Sequence, residues 1–554
     1  MDATAETILR RWTKLDGDRA TVKSYVQQVM EYCLPRRATV TAQRTEGQDL
    51  HAELFDSTAE TALERFATGL YDYMWSPARQ NFMLLPPIED APSAKEGSRA
   101  LQRISERISG HLRQSNFEEA FYETALDLGS AGLATMEPSR GLDSLYEFQS
   151  HPFEQIVFSE NRGGRVDLVL RRFPWTARQI VQEFGEGEAR VGKSVWQWYQ
   201  EAQGHGRERS FELVHAAIPR TEFTPGRRDV WNMPIASLWV SVTDKLVLRR
   251  SGWPQMRYLV TRFAKASGEK HGRSPGMKSL PDIKMLNKIE ETLIVGAEQA
   301  VRPSILDPDN ALQPDPDGKI RFYPGSILRY RTNAMNPGVK PEPFMSAGRV
   351  DFGHEYAEAK REIVKRAFFN DLFLMLGDDK RRTATEVRTL LAEKLSLLGP
   401  AFGLMKVELF DPMVRILVSI LAEEPELLSG VPLEYLDLAN IRYISTLAIA
   451  MEYAELSLIE DALLFLSPLG ELDPTIFDNL SFDEICRGFL QKMAWPTGWL
   501  KPVGEVKALR EARMAAQAQQ VQQQMAIQQA AELERLTKRP ESGSPAEAMM
   551  AQAA

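Results

Sequence analysis

The chain has 554 residues, 43% hydrophobic and 26% charged, with a formal net charge of -9. At roughly 150 residues per domain that composition predicts about three or four globular units. The acidic balance excludes a module that grips DNA by neutralising phosphates, but not a surface that DNA slides past. Two cysteines, Cys33 and Cys486, are too few for a disulfide framework or a zinc site, and the seven histidines make no metal-ligand pair. The N-terminal residues lack an apolar signal core. No apolar run approaches the ~18 residues of a membrane span; the best, 413–422, is cut by Arg415. The expectation is a soluble protein of a reducing cytoplasm, without metal, cofactor or membrane contact.

Residues 1–33 read as one helix. Residues 55–74 follow, with Phe55, Ala59, Ala62, Leu63, Phe66, Leu70 and Met74 at helical spacing, closed by Ser76-Pro77. Further helices are predicted over 101–112 and 117–128. The texture then turns to short β-rich runs at 155–159, 166–173, 211–218, 238–248 and 256–263, with a turn at Gly163-Gly164. A short helix over 176–184 interrupts them, N-capped by Thr176. From 281 a helix is predicted with Pro281 and Asp282 in its first turn. Leu286, Ile289, Leu293, Ala297 and Ala300 form its apolar face. At ~1.5 Å per residue it is about 30 Å long.

Residues 303–347 are rich in proline and glycine. Two alternating runs, 319–323 and 326–331, flank Pro324-Gly325, which suits the middle of a type II turn. They predict a hairpin carrying Arg321, Phe322, Tyr323, Arg329 and Tyr330. A second amphipathic helix spans 351–369, with Phe352, Tyr356, Ala359, Ile363 and Ala367 on its apolar face. The stretch 377–382 has loop chemistry and ends in Lys380, Arg381 and Arg382. Thr383 with Glu386 forms a capping box that restarts a helix toward 422, kinked at Gly399-Pro400. Residues 426–500 read as mostly helical. A weakly amphipathic Ala/Gln-rich helix covers 505–539, and 540–554 read as disordered.

Two short patterns suggest enzymes. Residues 187–194 match the P-loop pattern, ending in Lys193 and Ser194, and the run ending at Asp244 resembles a magnesium-binding partner strand. A P-loop needs a buried strand before it, however, and here a helix is predicted. Glu186 and Glu188 would also repel a triphosphate, so a solvated loop is the simpler reading. Gly272-Arg273-Ser274-Pro275-Gly276 matches the nucleophile-elbow pattern, which requires a helix directly after the serine. Pro275-Gly276 argues against such a helix, and His354 is the one histidine downstream. The basic cluster Lys380-Arg381-Arg382 reads either as a solvated charge run or as a contact to a phosphate backbone.

A resemblance binds these pieces together. Phe55-Asp56-Ser57-Thr58-Ala59, Ser76-Pro77-Ala78-Arg79 and Gly272–Gly276 resemble stretches of the portal, or head-to-tail connecting, proteins of short-tailed bacteriophages. So do Leu280-Pro281-Asp282-Ile283-Lys284-Met285-Leu286-Asn287, Thr383–Val387, Leu398-Gly399-Pro400 and Asp411-Pro412. One departure is His271, where an aromatic residue is expected before Gly272. The resemblance implies an α+β, mostly helical portal fold that closes into a ring around a channel. It divides the chain into wing (1–278), stem helices (279–302 and 348–369), clip (303–347), tunnel loop (370–384), long wing helix (385–425), crown (426–504) and a helical-barrel or disordered tail (505–554).

The same resemblance implies a dodecamer at one capsid vertex of the virion, passing double-stranded DNA without sequence specificity in packaging, retention and ejection. Its implied partners are the terminase motor, scaffolding protein, major capsid protein and tail adaptor. Lys380, Arg381 and Arg382 would face DNA, Arg321, Phe322, Tyr323, Arg329 and Tyr330 the motor or adaptor, and Leu286, Ile289, Leu293, Phe352, Tyr356 and Ile363 would pack the stem. The alternatives are a P-loop ATPase of the packaging motor and another ring or adaptor component.

Overall fold

The computed structural model describes residues 3–42, 45, 47–48, 53–75, 80–86, 94–201, 205–221, 231–301, 305–306, 312, 342–343, 350–374, 398–424, 439–444, 459, 462–468, 480–492 and 503–537. The chain divides into two compact units, residues 1–480 and 481–554.

The expected single helix at the N-terminus is two, α1 (Ala3–Asp18) and α2 (Ala20–Cys33). Arg19 breaks it. Its side chain is 2% exposed and donates to the carbonyls of Phe153 (2.8 Å), Glu154 (2.8 Å) and Ile156 (2.6 Å), and to Asp16 (2.9 Å). Four charge-assisted bonds outweigh the helical bonds given up at the break. Next come α3 (Thr58–Met74), strand β1 (Phe82–Leu85), α4 (Ala94–Arg113) and α5 (Phe117–Ser130). Phe66, Leu63, Phe117 and Phe121 from α3 and α5 are sealed in the main core.

Two antiparallel sheets follow. The smaller has the order β3-β2-β9, from β2 (Leu133–Ser139), β3 (Glu147–His151) and a later β9. The larger runs β4-β5-β6-β7-β8, from β4 (Ile156–Glu160), β5 (Val166–Thr176), β6 (Ser210–Pro219), β7 (Ile235–Ser241) and β8 (Leu246–Trp253). The β-run expected at 238–248 is thus split by a turn, in which Lys245 takes a left-handed φ of 48°. β9 is Leu259–Arg262. α1 covers one face of the larger sheet with Ile8 and Trp12 against Leu168, Leu170 and Val214. The other face packs on α6 (Ala177–Phe184), α7 (Glu188–Val191) and α8 (Lys193–Tyr199), burying Ile180, Val191 and Val195 with Phe173 and Leu213. Thr176 and Gln179 form a full capping box on α6.

A buried polar cluster joins the sheets. The His215 ring lies 4.3 Å from that of Trp239, with Nδ1 2.6 Å from the Tyr258 hydroxyl and Nε2 2.8 Å from the Ser237 hydroxyl. Around it stand Glu137, bonded to His151 at 2.9 Å, together with Arg171 and Arg249. Burial, against the pull of Glu137, pushes His215 down to about 4 from its ordinary 6.5. The unfolded chain therefore binds this proton more readily. The neutral ring's contribution is complete above about pH 6.5 and is lost as pH falls toward 4, on the order of 3 kcal/mol. Urea midpoints should fall between pH 7 and pH 5, and His215→Phe should make that slope shallower, with His271, also pushed down to about 4, supplying much of the rest; a slope unchanged by the substitution would assign it elsewhere.

The next helix, α9 (Pro275–Val301), starts earlier than expected and runs through Pro281. Proline at 281 has no N–H for the Met277 carbonyl. The Tyr25 hydroxyl of α2 takes its place, donating to that oxygen at 2.8 Å. Two short strands, Ile305–Leu306 and Glu342–Pro343, pair antiparallel beyond α9. Then come α10 (Val350–Ala367) and α11 (Asn370–Leu374).

Of 385–425 the described residues begin at Leu398, and α12 (Gly399–Met405) carries Pro400 in its first turn. The helix expected before Gly399-Pro400 lies outside the described residues, and an irregularity that was not anticipated follows α12. Lys406–Phe410 form a π-turn before α13 (Asp411–Leu421), where Pro412 again lacks a donor. A strand not anticipated, Asn440–Tyr443, pairs with β1. The second unit holds α14 (Phe482–Lys492) and the 35-residue α15 (Val503–Thr537), linked by Arg510 to Asp483 at 2.6 Å. None of the described helices is long and apolar enough to cross a membrane.

Candidate assembly site: the paired long helices

α9 and α10 lie side by side, and their contact is built from small residues and ion pairs. A Cβ on Gly353 would sit 2.4 Å from Leu293 Cδ2, so any larger residue there would make the Leu293 side chain shift. Ala357 and Val364 of α10 and Leu286 of α9 are buried, and Ile289 and Leu293 are half-buried. The face of α10 turned to its own chain is therefore one residue round from the expected Tyr356, Ala359 and Ile363. Tyr356 (38%) and Ile363 (42%) stay exposed, as do Met285 (43%), Ile294 (44%) and Val295 (47%) on α9. Phe352 lies on α10, but its side chain is outside the described residues.

Charged residues lock the pair at one end. Arg361 donates to Asp56 (2.9 Å), Glu290 (2.5 Å) and Glu358 (3.0 Å), while Lys360 reaches Asp282 at 2.8 Å. Burial would lower the Arg361 pKa, but Glu358, Asp56 and Glu290 together hold it above its ordinary value. Asp56 works on both sides: one carboxylate oxygen accepts from Arg361, the other from the Thr58 N–H at the start of α3 (2.8 Å). Next to it, the Phe55 N–H donates to Asn287 Oδ1 at 2.7 Å, and Asn287 Nδ2 donates to the Glu53 carbonyl at 3.1 Å. Phe55-Asp56 and Asn287, separate motifs in the sequence, are thus one joint in space. Arg361 and Glu290 were not anticipated there. Nothing local marks them, because their role depends on two helices from distant segments meeting.

The segment 271–276 serves the same helix. A helix does follow Ser274, contrary to the expectation drawn from Pro275-Gly276, because proline suits the first helical position. Ser274 caps it: its hydroxyl accepts from the Met277 N–H (2.8 Å) and donates to the Ser130 carbonyl (2.7 Å). Both functions of the hydroxyl are used, and the side chain is buried. Gly272 is required by contact, since a Cβ there would stand 2.0 Å from the Gly132 carbonyl oxygen. His271 fills the aromatic position in kind, with its ring 5.1 Å from Phe158 and 6.1 Å from Phe153. Burial, reinforced by Arg19 and Lys270, pushes it down to about 4, so it is a neutral ring.

Residues 187–194 are two short helices rather than a loop, and they follow α6, not a strand. The Ser194 hydroxyl donates to Asp244 at 2.7 Å, and the Ser194 N–H to the same oxygen at 3.2 Å. Asp244 therefore caps α8. A Cβ on Gly192 would sit 2.3 Å from Asp244 Oδ2, leaving no room for phosphate between them. Among the described residues no group of three or more His, Cys, Asp or Glu is placed to hold a metal ion. Lys380, Arg381 and Arg382, and Arg321, Phe322, Tyr323, Arg329 and Tyr330, lie outside the described residues.

Comparison with known proteins places the chain in a family. Residues 5–500 match the family described as bacteriophage head to tail connecting protein, and the chain belongs to that family. It is 27% identical over 492 residues to the probable portal protein of Bordetella phage BPP-1, covering 86% of this chain and 85% of that one. It is 24% identical over 498 residues to the portal protein of Salmonella phage epsilon15, covering 87% and 86%. A chain of the virion of a native gene transfer agent particle aligns over 80% of this chain and 95% of its own, at 13% identity and a TM-score of 0.30. The protein is a virion component acting at the connection of head and tail.

Proposed function

We propose that the chain is one subunit of a closed portal ring, a dodecamer at one capsid vertex, through which double-stranded DNA is packaged, retained and ejected. The observation that carries this is the paired α9 and α10. Leu286, Ala357 and Val364 are buried, and yet Met285, Ile294, Val295, Tyr356 and Ile363 remain exposed. Apolar side chains grouped on such a rigid element fit a neighbouring subunit. In a ring each subunit offers one flank and receives a different one. The helices then form the stem (279–302 and 348–369), with residues 1–278 as wing and 303–347 as clip. Residues 370–384 form the tunnel loop, 385–425 the long wing helix, 426–504 the crown and 505–554 the tail.

In this reading the subunit is structural and catalyses nothing. Arg321, Phe322, Tyr323, Arg329 and Tyr330 of the clip meet the terminase motor and the tail adaptor. Scaffolding and major capsid proteins hold the ring in the shell. Lys380, Arg381 and Arg382 offer passing phosphates a ring of contacts without sequence readout. The net charge of -9 keeps the rest of the surface from holding DNA.

Negative-stain electron microscopy of the purified protein tests the ring. Closed rings with a hole wide enough for a duplex are expected, and uniform monomers that persist with DNA and scaffold would overturn it. Charge reversal tests the channel contact. Lys380→Glu, Arg381→Glu and Arg382→Glu together should leave rings intact but reduce packaged or retained DNA several-fold, because each lost phosphate contact removes an electrostatic term. Monomeric triple-variant protein would show that these residues serve assembly instead.

A further inference from the structure

α10 does not end as a permanently bent helix should. Between it and α11 stands one residue in the left-handed region, Phe369 at φ 59°. That position at a helix end is ordinarily glycine, which adopts the conformation freely, whereas a bulky side chain there is strained. No glycine or proline stands between Gly353 and Gly377, so every residue across the bend is compatible with continuous helix. The turn is closed tightly, with the Phe369 N–H on the Arg366 carbonyl at 3.0 Å and the Leu372 N–H on the Phe369 carbonyl at 3.0 Å.

The next residue adds a second cost. Asn370 is 1% exposed, and neither its Nδ2 nor its Oδ1 has a hydrogen-bond partner among the described residues. A buried amide left this way is unfavourable. What holds the bend is aromatic packing: Phe369 lies 6.4 Å from Phe66 and 6.3 Å from Phe263, and Phe368 lies 6.4 Å from Phe66. Beside Phe369 is a cavity of about 460 Å³, walled by Phe263, Pro275, Lys278 and Ala367. The ring has space to swing into.

We propose that residues 368–370 are a two-state joint: α10 and α11 either bend at Phe369, as here, or run on as one helix from Val350 to Leu374. The bent state is favoured by the aromatic contacts and opposed by the strained φ and the unpaired amide, so the two lie close in energy. Lys380, Arg381 and Arg382 follow α11 in the chain. If they contact DNA as proposed above, the joint sets the direction in which the chain leaves toward them.

Hydrogen exchange on the assembled full-length protein tests the joint. Phe369→Gly and Phe369→Ala both remove the ring, but glycine accepts the bend whereas alanine favours the straight helix. In the straight helix the amides of Asn370 and Asp371 gain carbonyl partners one turn back. Exchange over Asn370–Phe373 should be about tenfold faster in the glycine variant than in the alanine variant. Equal rates, or faster exchange with alanine, would overturn the joint.

Local sorting of wild-type cryomicroscopy particles on residues 350–374 gives a check free of substitutions. Two classes are expected, and a single bent class would overturn the proposal. Neither readout involves DNA. Failure of the joint is therefore separate from failure of the channel reading, which the charge-reversal variant decides.

Discussion

Arg262→Ala lowers the urea midpoint of the first unfolding transition by the equivalent of about 3–5 kcal/mol, the cost of breaking a buried ion pair from one side. Arg262 is fully buried on β9. Its backbone N–H donates to Glu408 Oε2 at 3.0 Å and its Nε to Glu408 Oε1 at 3.0 Å. Its two terminal nitrogens reach Glu160, Glu408, the Lys270 carbonyl at 3.0 Å and the Gly164 carbonyl at 3.3 Å. Burial alone would lower its pKa, but Glu408 and Glu160 reverse that and raise it. The residue thus pins the smaller sheet to the larger sheet's first hairpin and to the π-turn that carries Glu408. Alanine leaves two carboxylates facing each other with one cation, Lys265, still on Glu160. The double variant Arg262→Met, Glu408→Leu should recover part of the loss, because it leaves no unpaired charge at the π-turn, although the backbone N–H of residue 262 loses its acceptor. A single-variant shift below about 1 kcal/mol would mean that water replaces the guanidinium, as at a surface pair.

Asp56→Ala is expected to cost about 3 kcal/mol, combining a lost helix cap with a lost charged hydrogen bond. Its side chain is 7% exposed, so solvent does little to replace it. The effect should be local: amides at the start of α3 and along the second half of α10 exchange faster, while those of the large sheet do not. Asp56→Asn keeps an acceptor for the Thr58 N–H and should lose about half as much. If the flanks of α9 and α10 meet a neighbouring subunit as proposed, rings counted by negative stain should decline with Asp56→Ala, because the pair is then held less rigidly. Unchanged exchange at α10 would remove Asp56 from the assembly argument.

The elements that were legible in the sequence are those whose pattern is local. The helix at Thr58–Met74, the N-cap at Thr176, and the long Ala/Gln-rich helix from Val503 follow from side-chain period, a polar cap and helix propensity. The motifs Phe55-Asp56 and Leu280–Asn287 could be marked as belonging to a head-to-tail connecting protein. The family match over residues 5–500 shows that the chain belongs to it.

What failed were readings that depend on a partner far along the chain. The N-terminal helix breaks because Arg19 is claimed by three carbonyls between Phe153 and Ile156. Pro281 stays inside a helix because Tyr25 satisfies the carbonyl it orphans. The strand at Phe82–Leu85 exists by pairing with Asn440–Tyr443. By itself the sequence determined the family and most of the order of helical and β regions. Only the tertiary structure decided that Asp56, Asn287, Glu290 and Arg361 form one lock, and which side chains of α10 stay exposed. Hydrophobic period specifies that a helix has an apolar side; the close approach of Gly353 to Leu293 and the reach of Arg361 to Asp56 select how it is turned.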